Sequence, residues 1–390
     1  MSNTETREYE TINKWDDFDI PVDLLRGIYG IGYENPSPIQ SKAINPMING
    51  RDVIAQAQSG TGKTGAFSIG AITLTDVTKN CTQVLILSPT RELSTQTYSV
   101  ITTLSCMFKK DPLKAHTLIG GTSTEKDVEI LRNNTPHIAV GCPGRVHDMI
   151  KRRYLLTNNL KLVILDEADE MLSSGFKEQV YNIFQYLPKD TQLCLFSATL
   201  PIELNQLTEK FMRDPIQILV KAESLTLEGI QQFFIALDDD SDKYHTLKDL
   251  FGMLSVSQCI IYCNSVKRVS DLHEAMSADG YPVCCIHSSM EKEDRAASFD
   301  EFKSGKHRVC IATNVLARGI DIQQVSMVIN FDIPKCEHTY LHRIGRSGRW
   351  GRKGTGINFV TKRDIKKMKD IEEYYHTEIK ELPETFVNKF

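Results

Sequence analysis

Two tandem α/β domains, each built on a doubly wound parallel sheet, are what this sequence of 390 residues predicts. Three observations lead there. Apolar runs of strand length alternate with amphipathic stretches of helix length almost throughout. The runs are continuous, as expected of parallel strands covered on both faces, not polar–apolar alternations. The alternation pauses once near the middle and then resumes, and the length accommodates two ordinary cores.

The first half carries strand candidates at 52–57 (DVIAQA), 83–89 (QVLILSP), 137–143 (HIAVGCP), 161–166 (KLVILD), 192–199 (QLCLFSAT) and 216–220 (IQILV). Helical candidates at 91–104 and 176–187 lie between them. The segment 221–229, KAESLTLEG, lacks strong periodicity and ends in Gly229. The expected division is therefore a first domain over 1–219, a linker over 220–229 and a second domain over 230–390. In that second domain strands are expected at 259–264, 282–287, 308–313, 325–331 and 356–360. The charged stretch 362–376 reads as a solvated helix.

Composition narrows the class. An apolar fraction of 41% and a charged fraction of 25% describe a soluble globular protein. No apolar run approaches the roughly 20 residues that span a bilayer. The polar, acidic start MSNTETREYETINKWDD shows no secretory signal. Ten cysteines lie without framework spacing, many inside apolar runs, so a reducing, cytoplasmic setting is expected. Cys259, Cys263, Cys284, Cys285 and His287 lack paired C-x2-C spacing and read as core residues, not zinc ligands. A net charge of −4 argues against bulk attraction to nucleic acid but leaves room for a local patch. Such a patch runs from Lys335 to Lys369, with eleven Lys or Arg against only Glu337 and Asp364.

Two motifs point to nucleotide chemistry. AQSGTGKT (57–64) follows a strand and opens a helix. Ala57, Gln58, Ser59, Gly60, Thr61 and Gly62 form a loop whose backbone N–H groups curl around phosphates, Lys63 reaches the outer phosphates, and the Thr64 hydroxyl ligates Mg²⁺. Ala57 stands where the pattern has Gly, and the bland alternative is a Gly-rich turn. LVILDEADEM (162–171) then packs Asp166, Glu167, Asp169 and Glu170 into five positions. Such crowding persists where a cation or water meets it. Asp166, delivered by a strand, suits Mg²⁺ held through water, and Glu167 suits activation of the attacking water. The rival reading, an acidic helix N-terminus stabilised by its dipole, applies to Glu170.

ATP and GTP are separated by position. NKWD (13–16) fits a guanine-reading pattern but precedes the phosphate loop, so it is taken as chance. GYENPSPIQ (32–40) is the better base reader: the Gln40 amide suits an adenine edge, and Trp15 or Tyr33 offers a ring to stack on. HRIGRSGR (342–349) plants arginines within the cationic stretch, and Arg346 and Arg349 are candidate fingers for the charge on a transferring phosphoryl group. The bland alternative is a generic phosphate or RNA-backbone patch.

This ordered set resembles the DEAD-box RNA helicases of superfamily two over nearly the whole chain. PTREL (89–93), Gly120-Gly121, CPGR (142–145), SAT (197–199) and ARGID (317–321) complete the likeness. It is greatest to the members that serve translation initiation and their exon-junction relative. The resemblance implies tandem RecA-like domains, ATP and Mg²⁺ as cofactors, and RNA-stimulated ATP hydrolysis that locally unwinds short duplexes. It implies that Asp169, Ser197, Thr199 and His342 couple hydrolysis to closure, and that Asp321 meets the ribose. Thr90, Arg91, Gly121, Arg145, Arg295 and Arg318 would hold RNA phosphate and sugar, with little sequence preference. Single-stranded or short-duplex RNA and an initiation scaffold protein are the implied partners, with no membrane, for a monomer. An ATP-gated clamp that marks RNA for assembly is the alternative function. The chain departs from the family pattern at Cys142 (usually Thr), Ser288 and Ser289 (usually Gly-Asp), Lys292 (usually Gln) and Asn314 (usually Asp).

Overall fold

The computed structural model describes residues 11–57, 60–173, 176–200, 202–219, 230–253, 258–316, 325–345, 347 and 354–383. Two compact units divide the chain, Met1–Val220 and Lys221–Phe390. The expected linker over 220–229 lies outside the described residues.

The first unit contains β1 (Val53–Gln56), β2 (Val84–Leu87), β3 (Ala115–Leu118), β4 (Ile138–Gly141), β5 (Leu162–Asp166), β6 (Gln192–Ser197) and β7 (Ile216–Leu219). Among the described residues they form one parallel sheet in the order β3-β4-β2-β5-β6-β1-β7. The strands read as unbroken apolar runs because both faces are buried. Val84, Ile86, Leu162 and Ile164 face one core, while Leu85, Leu87, Val163 and Leu165 face the other. Each fully buried Leu or Ile of this kind contributes about 1.5–3 kcal/mol.

The second unit repeats the design with β8 (Ile230–Leu237), β9 (Cys259–Tyr262), β10 (Val283–Ile286), β11 (Val309–Ala312), β12 (Met327–Asn330), β13 (Gly354–Thr361) and β14 (Lys380–Glu381). Their order is β10-β11-β9-β12-β13-β8-β14, again all parallel among the described residues. Cys259, Cys263, Cys284 and Cys310 sit buried in these two cores, and burial pushes the Cys263 thiol up to about 12. Both sheets have the RecA-like doubly wound form.

Three strands were not among the sequence expectations: β3, β8 and β14. β3 is a partly exposed edge strand of sequence AHTL, and β14 is a two-residue exposed edge. β8 carries Gln231 and Gln232 near its start and is only partly buried. Neither β3 nor β14 offers a continuous apolar run, whereas β8 does, FFIAL at 233–237, behind its two glutamines. The charged helix at Ile365–Tyr375 also differs from its reading as a solvated element, since Met368 and Ile371 anchor one face in the core. Among the described residues no helix is long and apolar enough to cross a membrane.

Strand order decides where chemistry can gather. The C-terminal ends of β5, β6 and β1 are neighbours, and they carry Asp166, Ser197 and the start of the phosphate loop. The ends of β3, β4 and β2 form the other half of the same edge and lead into Gly120-Gly121, Cys142–Arg145 and Thr90-Arg91. Open α/β sheets place ligands at this edge.

Candidate active site and RNA track

The phosphate loop runs from β1 into helix Lys63–Leu74, whose N-cap is Gly62 in the left-handed region at φ 102°. A Cβ there would also meet Ser37 Oγ at 2.7 Å and Gln40 Nε2 at 2.9 Å, so glycine is required twice over. Ala57 continues the strand, its N–H donating to the Ser197 carbonyl at 3.0 Å. Lys63 is buried, and its Nζ donates to the Ala57 carbonyl at 2.9 Å. The same Nζ lies 3.7 Å from Glu167 Oε1, with both side chains at most 5% exposed. Gly60 also has positive φ, and Thr61 and Thr64 are half-buried. Gln58 and Ser59 lie outside the described residues.

Asp166 ends β5, and Glu167 follows it in the left-handed region at φ 51°. A non-glycine residue held there costs about 1–3 kcal/mol, and such strain clusters at functional sites. Burial pushes Asp166 up to about 7, the Glu167 charge adds to this, and Lys63 opposes it. Two adjacent buried carboxyls and one ammonium make a site that a further cation would balance. The donors at hand, the Asp166 carboxylate and the Thr64 hydroxyl, are hard oxygens of the kind Mg²⁺ prefers.

Asp169 is held by the strand next door. Thr199 Oγ1 donates to its Oδ2 at 2.7 Å, its own N–H donates to Ser197 Oγ at 3.3 Å, and Ser197 Oγ donates to the Thr199 carbonyl at 2.6 Å. All three residues are buried. The N–H of Glu170, the fourth acid of the run, donates to Asp169 Oδ1 at 3.0 Å.

The base-reading residues are placed differently from expectation. Trp15 is 1% exposed and belongs to the core, packed on Phe18 and stacked on Tyr33 at 6.4 Å. Its ring therefore has no free face for a base, and half-buried Tyr33 is the accessible member of the pair. The Gln40 amide is engaged as well. The Ser37 N–H donates to its Oε1 at 2.7 Å, and its Nε2 donates to the Gly62 carbonyl at 3.3 Å. Gln40 thus grips the phosphate loop, and reading a base edge through it requires exchanging those bonds.

On the other half of the edge, two arginines converge on one backbone segment. Arg91 opens helix Arg91–Leu104 behind the N-cap Thr90, which accepts from the Leu93 N–H at 3.3 Å. Its guanidinium lies against Gly120 and Gly121; a Cβ at Gly121, where φ is 82°, would meet Arg91 Nη1 at 2.7 Å. Arg145 donates to the Thr122 carbonyl at 2.9 Å, to Thr122 Oγ1 at 3.3 Å and to the Asp127 carboxylate. Cys142, the N-cap of helix Pro143–Lys151, has its Sγ 3.6 Å from Ser94 Oγ.

In the second unit, Arg295 is buried on helix Lys292–Lys303, and His342 is buried on helix Glu337–Ile344. Arg318, Asp321, Arg346 and Arg349 lie outside the described residues.

Comparison with known proteins decides the family. Residues 37–207 match the DEAD/DEAH box helicase model, and 242–351 match the helicase conserved C-terminal domain. The chain belongs to the DEAD-box family of ATP-dependent RNA helicases. It is 50% identical to the ATP-dependent RNA helicase eIF4A of Chaetomium globosum, over 97% of this chain and 94% of that protein. It is also 50% identical to eukaryotic initiation factor 4A-III homolog B of Oryza sativa, over 96% and 92%. The solved structure of S. cerevisiae Dbp5 bound to RNA and ADP BeF3 is 32% identical, covers 97% of each chain and superposes with a TM-score of 0.88.

Residue patterns alone did not single out Asp127 and His116 in this helicase. Both lie outside any motif, on helix Thr124–Asn133 and on edge strand β3, and only the fold brings Asp127 to Arg145 and His116 to Asp127. No sequence signal could have found them.

Proposed function

We propose that this helicase serves translation initiation in the cytoplasm, as a monomer engaged by a scaffold protein, using ATP hydrolysis to open short RNA duplexes. The observation that most supports the chemistry is the buried Lys63–Glu167 pair, with Glu167 held in a strained conformation beside Asp166. Thr64 and Asp166 hold Mg²⁺, which when bound offsets the charge of the phosphates and of the crowded acids. Lys63 orients the outer phosphates, and Glu167 orients the attacking water and takes its proton. Tyr33 and Gln40 meet adenine, and Asp321 the ribose. Arg346 and Arg349 stabilise the charge of the transferring phosphoryl group. Asp169, Ser197, Thr199 and His342 relay the state of the nucleotide. Thr90, Arg91, Gly121, Arg145, Arg295 and Arg318 hold RNA through phosphate and sugar, which carries little sequence information.

The test is RNA-dependent ATP turnover and short-duplex separation in the doubly substituted variant R346A/R349A. Both are expected to fall by three orders of magnitude or so, on the order of what an arginine finger supplies. Undiminished RNA-dependent hydrolysis would remove the finger assignment. A second reading, an ATP-gated clamp with little turnover, draws support from the equal identity to the 4A-III relative. Rapid multiple turnover with duplex separation favours the helicase, and a long-lived RNA complex after one hydrolysis event favours the clamp.

A further inference from the structure

We propose that Asp127 is a positioning residue for Arg145: a buried carboxylate that fixes this guanidinium on the RNA track before RNA arrives. The assignment rests on the reading of Arg145 as an RNA contact.

Asp127 lies in the first turn of helix Thr124–Asn133 and is 3% exposed. It accepts from Arg145 through one oxygen, and its other oxygen is 3.0 Å from His116 Nε2 on β3. One carboxylate thus ties an edge strand, its following helix and the helix after β4 into a single corner. Arg145 also donates to Thr122, immediately after the Gly120-Gly121 pair that Arg91 covers. Residues 120–122 are therefore bracketed by two cations. Without an anion behind it, Arg145 would be pushed away from Arg91 and toward water.

The benefit to RNA binding is conformational. A free arginine samples many rotamers and loses that freedom when it meets a phosphate. Asp127 and Thr122 impose the geometry in advance, so less entropy is lost on binding. A competing electrostatic role makes the opposite forecast. If Asp127 only weakened the local positive field, neutralising it would tighten RNA binding.

The test measures binding of a single-stranded oligouridine by fluorescence anisotropy, with RNA-stimulated ATPase alongside, for wild type, D127N, R145A and the double variant. D127N should raise the RNA concentration for half-maximal ATPase roughly threefold to tenfold. The rate at saturating RNA should stay the same. R145A should weaken binding and reduce the salt-dependence slope by about 0.7, the loss of one single-strand phosphate contact. D127N added to R145A should cost nothing further. A merely structural Asp127 would instead weaken the R145A background again, and that result overturns the proposal. Unchanged or tighter binding by D127N alongside a weak R145A also overturns it and leaves the RNA role of Arg145 standing. Wild-type affinity in R145A removes that role, and the proposal with it.

Discussion

The fully buried Arg343 donates to the exposed Asn314 twice, through Nε at 2.9 Å and Nη2 at 2.7 Å, at the open side of an amide cage. Asn330 Oδ1, Asn264 Oδ1 and the Asp332 carbonyl accept its remaining described bonds, and Tyr262 lies beneath its plane at 5.2 Å. Among the described residues its side-chain acceptors are all neutral. Burial accordingly pushes Arg343 down to about 10. Position 314 is where the family pattern carries Asp, so this chain holds a desolvated cation without the carboxylate expected at its fork.

That relationship predicts a stabilising substitution. N314D places a charge opposite a guanidinium whose own desolvation cost is already met by the wild type. Charge-assisted bonds exceed neutral ones by about 1 kcal/mol, so the melting temperature of the full chain should rise. R343M should act in the other direction by about 3 kcal/mol, because the buried Asn330 Oδ1 and Asp332 carbonyl lose their donor together. A thermal melt in which N314D is no more stable than wild type would contradict the cage argument.

The RNA half of the sheet edge yields a separable defect. G121A adds a Cβ at φ 82° and within 2.7 Å of Arg91 Nη1. The left-handed backbone costs about 1–2 kcal/mol for alanine, and the clash displaces the guanidinium. RNA affinity should fall severalfold while ATP affinity stays at the wild-type value, since the loop after β1 lies on the other half of the edge. Equal losses for both ligands would show that the two halves are not independent.

Legibility in the sequence followed the physics of each element. Strands such as Val84–Leu87 and Leu162–Asp166 were readable because burial on both faces demands unbroken apolar runs. Ala115–Leu118 was not, because an edge strand needs apolar residues on neither side throughout. Lys63, Asp166 and Glu167 could be picked out as candidates because phosphate and metal chemistry fixes residue type and spacing within each motif, whereas Ser197 was flagged only through the family resemblance. Trp15 misled because an aromatic beside a motif looks the same whether it faces a ligand or the core. Asp127 was silent because its partner is 18 residues away and meets it only through the crossover of helices.

Acid should weaken the first unit through His137. This ring is buried, and its Nδ1 accepts from the Lys114 N–H at 3.1 Å, which requires the neutral form. Burial, followed by the Lys114 charge, lowers its pKa below the ordinary 6.5. The unfolded chain therefore binds the proton more readily. The contribution is fully present above pH 6.5 and is lost as pH falls through the lower folded value. Urea midpoints at pH 7.5 and 5.5 should differ less in His137→Asn than in wild type. An equal acid loss in both would remove His137 as a cause.

The water-activating role of Glu167 carries the account of hydrolysis, and single-turnover ATP cleavage by E167Q at saturating RNA tests it most directly. The amide keeps the size of the side chain but cannot take a proton, so the rate should fall on the order of 10²–10⁴-fold with ATP and RNA still bound. Cleavage at the wild-type rate would contradict the account.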